Sequence, residues 1–311
     1  MQHRHRVAWL TATVVACAVF GRVAPLGAQA PLVLQSDFGS RDGAVAAMKG
    51  VATGVDATLR IFDLTHEIAP FDIWEAAYRL RQVTPYWPTG TVFVSIVDPG
   101  VGTGRLGVVA RTARGHLIVT PDNGSLTLLA ADVEEVREID LTRHRLPGSE
   151  RSHTFHGRDV FAYLGARLAS GQTRFEDVGP SRGRTIVRIE VAEPVREGAL
   201  VRGMVGMIDR PYGNLWTTSP SSLVDGAGFT IGDTLLVRIT NGGRAVFTGR
   251  VPFVESFGHV RVGEPVVYLN SLLDAAIAIN QGSFAERHGV GAGPTWMVSL
   301  EKTRTASPRK P

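Results

Sequence analysis

The chain has 311 residues, 44% hydrophobic and 20% charged, enough to bury the cores of two domains. A single cysteine, Cys17, excludes internal disulfides and Cys-based zinc sites, so the chemistry falls to oxygen and nitrogen side chains. The net charge is +4, but Arg4, Arg6 and Arg22 stand among the first 30 residues without an acid and leave +1 beyond them, a balance that does not suit nucleic acid as a partner.

The first element is a leader. Residues 1–30 carry a basic start (MQHRHR), a 14-residue apolar run (VAWLTATVVACAVF) and a small-residue exit ending Ala28-Gln29-Ala30. This is the pattern of a secretory signal cleaved at an A-x-A site, and the run falls short of the roughly 20 residues of a membrane span. The mature chain is expected to begin near Pro31 and to be periplasmic or extracellular. Lipoprotein processing at Cys17 is the rival reading. No later segment is apolar enough to cross a bilayer.

Next come alternating strands and helices. PLVLQSD reads as a buried strand and DGAVAAMKGVATGV as a helix. LRIFDLTHEI repeats the strand, DIWEAAYRLRQVTPYW the helix, and TVFVSIVD supplies a third strand. Such alternation predicts an α/β N-terminal domain over 31–195 with a largely parallel sheet. Past the linker VAEPVREG the texture changes to short strands split by glycine turns, GALVRGMVGMID, TLLVRITNGGRAVFTGRV and VVYLN, with NGG as a hairpin turn. A smaller β-rich, barrel-like C-terminal domain is expected over 196–300. The basic tail 301–311, KTRTASPRKP after Glu301, is expected to be disordered.

VDPGVGTGRLG, residues 97–107, has the G-x-G-x-x-G spacing of a dinucleotide-binding turn. That motif needs a helix after the turn, because the pyrophosphate rests on the helix N-terminus. Here VVARTARGHLIVT follows, which reads as a hairpin. The glycines are better read as a tight bend in the backbone around something that Asp98 and Arg105 both face.

Polar residues gather where the N-terminal strands end: Asp37 and Asp42 after the first, Asp63, Thr65 and His66 after the second, Asp98 after the third. In open α/β sheets the ligand crevice lies there, although each such residue alone is as readily a cap or turn former. SHTFHGRD sets His153, His156 and Asp159 at metal-like intervals, which keeps a metallohydrolase as a rival; there is no H-E-x-x-H and no G-x-S-x-G elbow. IDRPYGNLWTT brings Asp209, Tyr212, Asn214 and Trp216 close together, a mix of charge, amide and aromatic rings that suits a nucleoside, with Trp216 equally readable as core.

Taken together, SDFGSRDGAVAAMKGV, DLTHEIAPFDIWEAAY, GTVFVSIVDPGVGTGR, VTPDNGSLT, TFHGRDVFA, IDRPYGNLWT and YLNS resemble the S-adenosyl-L-methionine hydrolases (hydroxide adenosyltransferases), relatives of the fluorinase and chlorinase. The resemblance implies two domains, a homotrimer with sites between subunits, S-adenosylmethionine as substrate, and neither cofactor nor metal. It implies an Asp98, Arg105 and His156 triad around the attacking water, with adenosine and methionine as products. Asp37, with Asp42 nearby, matches the ribose-binding position. Asp209 and Ser271 match the groups that hold the methionine ammonium, Asn214 the adenine edge, and Phe71 and Phe257 the walls, with Tyr212 among the substrate contacts. Halogenases carry Tyr-Pro where this chain has Asp98-Pro99. Two positions depart from the fluorinase: its tryptophan beside the sugar is Phe71 here, and its arginine after Asn-Ser is Leu272. A chlorinase-like halogenase and an exported nucleoside-binding protein without turnover are the alternatives.

Overall fold

The computed structural model describes residues 29–302. The expected leader, its Cys17 alternative and most of the basic tail lie outside the described residues.

The N-terminal layer is a six-stranded sheet built from β1 (Leu32–Ser36), β2 (Ile61–Thr65), β3 (Val92–Ile96), β4 (Gly107–Thr112), β5 (Leu117–Pro121) and β6 (Val133–Glu138). The order is β2-β1-β3-β5-β4-β6; β2, β1, β3 and β5 run parallel, and β4 opposes both of its neighbours. The mostly parallel sheet and the hairpin after the glycine loop are therefore as expected. The inner strands β1 and β3 are buried from end to end because both faces of the sheet are covered there. Leu32, Leu34, Val92, Val94 and Ile96 pack on one side against α1 (Ala44–Val55) and the segment that ends in α3 (Tyr163–Ala169). Val33 and Phe93 pack on the other with Leu80 of α2 (Ile73–Val83).

α3 sits close to the sheet because Gly165 has no side chain. A Cβ there would lie 2.3 Å from the Val94 Cγ2 atom. Gly165→Val is expected to cost about 1–3 kcal/mol of overpacking. At about 2–4 °C per kcal/mol, calorimetry should read a melting temperature lower by several degrees.

The second layer is all antiparallel: β7 (Val195–Glu197), β8 (Leu200–Asp209), β9 (Asn214–Pro220), β10 (Thr234–Asn241), β11 (Arg244–Pro252), β12 (Pro265–Leu269), β13 (Asp274–Ile279) and β14 (Trp296–Lys302). Its order, β11-β10-β14-β8-β9-β13-β12, nearly closes on itself through a bridge between Phe253 and Val267. The hydrophobic residues of this barrel, among them Val205, Leu215, Val237, Ile277 and Val298, form a core separate from that of the sheet. The segment read as a linker differs in one respect: Val195–Glu197 already pair with β8 as a strand.

α2 joins the two layers. Its Trp74 Nε1 donates to the Gly206 carbonyl at 2.7 Å, Glu75 pairs with Arg210 at 3.0 Å, and Arg81 pairs with the buried Asp274 at 2.9 Å. Among the described residues no helix is long and apolar enough to cross a membrane.

Candidate active site

The chain enters β1 in the middle of the sheet, steps to β2 on one side and returns through α2 to β3 on the other. A crevice opens at such a switch point, beyond the carboxyl ends of β1 and β3. Asp37 follows β1 and Asp98 follows β3, and both line one cavity of about 260 Å³ with Phe38, Phe71, Thr154 and Phe155. The sequence-predicted Asp37, Phe71 and Asp98 are thus brought together.

Asp98 is bonded to the Arg105 guanidinium through Oδ2, and its Oδ1 is buried with no hydrogen-bond partner. Burial pushes its carboxyl above the usual carboxylate range, more strongly than Arg105 pulls it down, and the nearby Asp37 adds to the rise. Arg105 is pinned by donating to the Leu106 carbonyl at 2.6 Å and by lying over the Phe161 ring at 5.6 Å. The bend that joins Asp98 to Arg105 depends on Gly102, whose φ is +77° and where a Cβ would stand 2.8 Å from the His153 carbonyl oxygen. A side chain there would be strained and would push the two loops apart.

Phe71 also has a left-handed backbone, with φ 69°, and is 71% exposed. Its N–H donates to Asp37 Oδ2 at 2.9 Å. A bulky residue held in that region marks a segment shaped by something other than its own propensity. Asp42 is placed differently: its Oδ1 accepts from the Ala44 N–H at 2.9 Å at the start of α1, and it does not line the cavity.

His156 lies between Phe155 and Gly157, which line the cavity, but its own ring is not among the lining groups. It precedes a π-helical turn, Gly157–Ala162, a rare geometry found disproportionately at functional sites. Arg145 donates to His156 Nε2 at 2.8 Å. Burial holds the imidazole below its ordinary value, with Arg145 and Arg105 adding to the effect. The metal reading fails on geometry: the Asp159 carboxylate is bound at both oxygens by Arg158, at 2.6 and 3.0 Å. Among the described residues no group of His, Cys, Asp or Glu is disposed to hold a metal ion.

The other predicted residues form a second cavity, of about 660 Å³, on the barrel. Asp209 ends β8 and Asn214 begins β9 across a tight turn, closed by the Gly213 N–H donating to the Asp209 carbonyl at 2.8 Å. Both line the cavity with Tyr212, Phe257 and Ser271. Phe257 packs edge-on against Tyr268 with ring centres 4.9 Å apart, and burial pushes the Tyr268 phenol up to about 12, so it remains a neutral donor. Trp216 also lines this cavity while its ring packs on the core. Within one chain the two cavities share no lining residue.

Sequence reasoning missed Arg145, Thr154 and Phe155. Arg145 stands 11 residues before His156 in LTRHRLPG, where nothing in the local pattern signals a contact.

The comparisons follow the same division. The SAM hydroxide adenosyltransferase N-terminal domain matches residues 32–179 and the corresponding C-terminal domain matches 203–297. An (R)-S-adenosyl-L-methionine hydrolase of Salinispora tropica is 36% identical over 85% of this chain and 95% of that protein. One of Thermus thermophilus is 37% identical over 85% and 97%. A fluorinase of an Actinoplanes species is 28% identical over 86% and 97%. The crystal structure of an uncharacterized conserved protein from Thermotoga maritima superposes with a TM-score of 0.79 at 31% identity, covering 87% of this chain and all of that one. With both domains matched in order, and with relatives above 30% identity aligned over most of its length, the chain belongs to the SAM hydroxide adenosyltransferase family.

Proposed function

We propose that this protein hydrolyses S-adenosylmethionine to adenosine and methionine, with S-adenosylmethionine as substrate and no separate cofactor. The observation that carries this reading is the Asp98 carboxylate: buried, fixed at one oxygen by Arg105, and open at the other beside Asp37.

The sulfonium makes C5′ an electrophile with a neutral thioether as leaving group, so departure needs no acid. The protein must supply an oriented, partly desolvated water in line with the C5′–S bond. Asp98 holds that water from Oδ1, Arg105 fixes Asp98, and His156 completes the triad. The water oxygen bonds C5′, the C5′–S pair passes to sulfur, and the proton passes to Asp98 and then to solvent. Positioning of this kind removes up to roughly 7–11 kcal/mol of barrier in ideal cases.

Asp37 takes the ribose hydroxyls, since a carboxylate accepts from both hydroxyls of a vicinal diol. Asp209 and Ser271 hold the methionine ammonium, Asn214 the adenine edge, and Phe71, Tyr212 and Phe257 the walls. The two half-sites share no lining residue within one chain, and each includes an exposed aromatic, Phe71 at 71% and Tyr212 at 66%. This supports a homotrimer in which the sheet cavity of one subunit meets the barrel cavity of the next.

A halogenase reading is disfavoured by Asp98. An ionised carboxylate accepts a hydrogen bond from water but disfavours a desolvated anion in the nucleophile position. Incubation with S-adenosylmethionine in chloride buffer, followed by separation of nucleosides, is expected to give adenosine. Formation of 5′-chloro-5′-deoxyadenosine would move the protein to the halogenases, and tight binding without turnover would make it a nucleoside-binding protein.

A further inference from the structure

We propose that Arg145 fixes His156 in its Nδ1–H tautomer, so that His156 serves the attacking water as a hydrogen-bond donor and Asp98 alone accepts the proton. The inference rests on the assignment of Asp98, Arg105 and His156 to that water.

The geometry leaves one arrangement. A guanidinium has only donors and does not lose its proton in a protein. Arg145 meets His156 at Nε2, 2.8 Å away, so that nitrogen accepts and its lone pair is occupied. In a neutral imidazole the proton then sits on Nδ1. Arg145 is itself anchored, donating to the Glu150 carbonyl at 3.2 Å.

The charges facing His156 favour the neutral ring. Arg145 from its own loop and Arg105 from the glycine loop are both cationic, and His153 adds to them. Asp159, the carboxylate that acts against these cations, is engaged at both oxygens by Arg158. An imidazolium would add a further positive charge among these groups, and burial disfavours it as well.

A histidine with its Nε2 lone pair taken has no basic nitrogen to offer the water. What it offers is the Nδ1–H bond, which steadies the water oxygen as hydroxide character develops. The proton goes to the unpartnered Oδ1 of Asp98. Arg145 is therefore a positioning residue, acting on the water through His156.

The test combines spectroscopy and kinetics. In 15N-histidine-labelled protein at neutral pH, long-range 1H–15N correlation is expected to show His156 protonated at Nδ1 and bare at Nε2. Arg145→Met is expected to release the ring to the other tautomer and to lower kcat by about 10- to 100-fold, the usual loss when the partner orienting a functional histidine is removed. It should also add to the pH–rate profile an inflection in the histidine range that the wild type lacks. Arg145→Lys, which retains a donor-only cation, is expected to restore the wild-type tautomer and most of the rate. The proposal is overturned by a wild-type spectrum protonated at Nε2, a measurement that requires no variant to fold. It is equally overturned if Arg145→Met leaves tautomer and profile unchanged. A wild type that fails to turn over S-adenosylmethionine but shows the Nδ1–H spectrum would sink the proposed activity and uphold the tautomer.

Discussion

Asp98→Asn is expected to lower the kcat for adenosine formation by about 10²–10⁴-fold, the range for loss of a positioned proton acceptor. On the rate scale this is about 3–5 kcal/mol of transition-state stabilisation. The amide keeps the shape of the carboxylate and still offers Arg105 an oxygen, but it has no oxygen able to take a proton. Substrate affinity should change far less than the rate, because the half-sites around ribose and adenine are untouched. The pH profile gives a second reading. Burial raises the Asp98 carboxyl against the pull of Arg105. Since the ionised form is the acceptor, wild-type kcat/KM is low on the acid side and rises as pH passes through this elevated value. That limb lies above the usual carboxylate range. Folding stability follows the opposite sign: a raised carboxyl contributes stability at acid pH that is lost as pH rises through its folded value. The asparagine variant lacks both the kinetic limb and that loss. Residual activity within tenfold of wild type, in a variant whose circular dichroism is unchanged, would remove Asp98 from the chemistry.

Much of this arrangement is legible in local sequence because local sequence is where its causes lie. LVLQS and VFVSI are buried from end to end because both faces of the sheet are covered, and the carboxylate that follows each strand, Asp37 or Asp98, stands at the switch point. The glycines of VDPGVGTGRLG mimic a phosphate loop, and the hairpin of β4 and β5 that follows removes that reading. Their use is instead at Gly102, where the backbone turns left-handed against the His153 carbonyl. Other features depend on parts of the chain that no window spans. Trp74 meets the Gly206 carbonyl across 132 positions, and Arg145 meets His156 only because the loop between them folds back. The left-handed Phe71 and the π-helical turn at Gly157–Ala162 have no compositional signature. Asp42 shows the reverse hazard: a carboxylate beside the site in sequence is spent on a helix start.

Two inactive variants are expected to restore activity when their subunits are mixed. Asp98→Asn disables the sheet cavity and leaves the barrel cavity intact; a double Asp209→Ala, Asn214→Ala chain does the opposite. If the cavities of one chain belong to different active sites, each complete site draws a sheet half from one subunit and a barrel half from its neighbour, as in a closed ring of identical head-to-tail contacts. Random co-assembly at equal amounts then leaves about a quarter of the sites unmodified on both sides, since each half is intact about half of the time. Co-expressed or co-refolded mixtures should therefore recover about a quarter of wild-type activity. The separate variants should stay at or below about one hundredth of wild type, given the loss expected for the catalytic substitution. The magnitude is large because the rescue is geometric: no chain in the mixture regains a lost side chain, yet a fraction of the interfaces carries every one. If the cavities instead served a single site within one chain, every chain would lack one half and mixing would yield only the sum of the parents. Recovery at the level of that sum, with mixed assemblies verified by mass spectrometry, would place the whole site within the subunit.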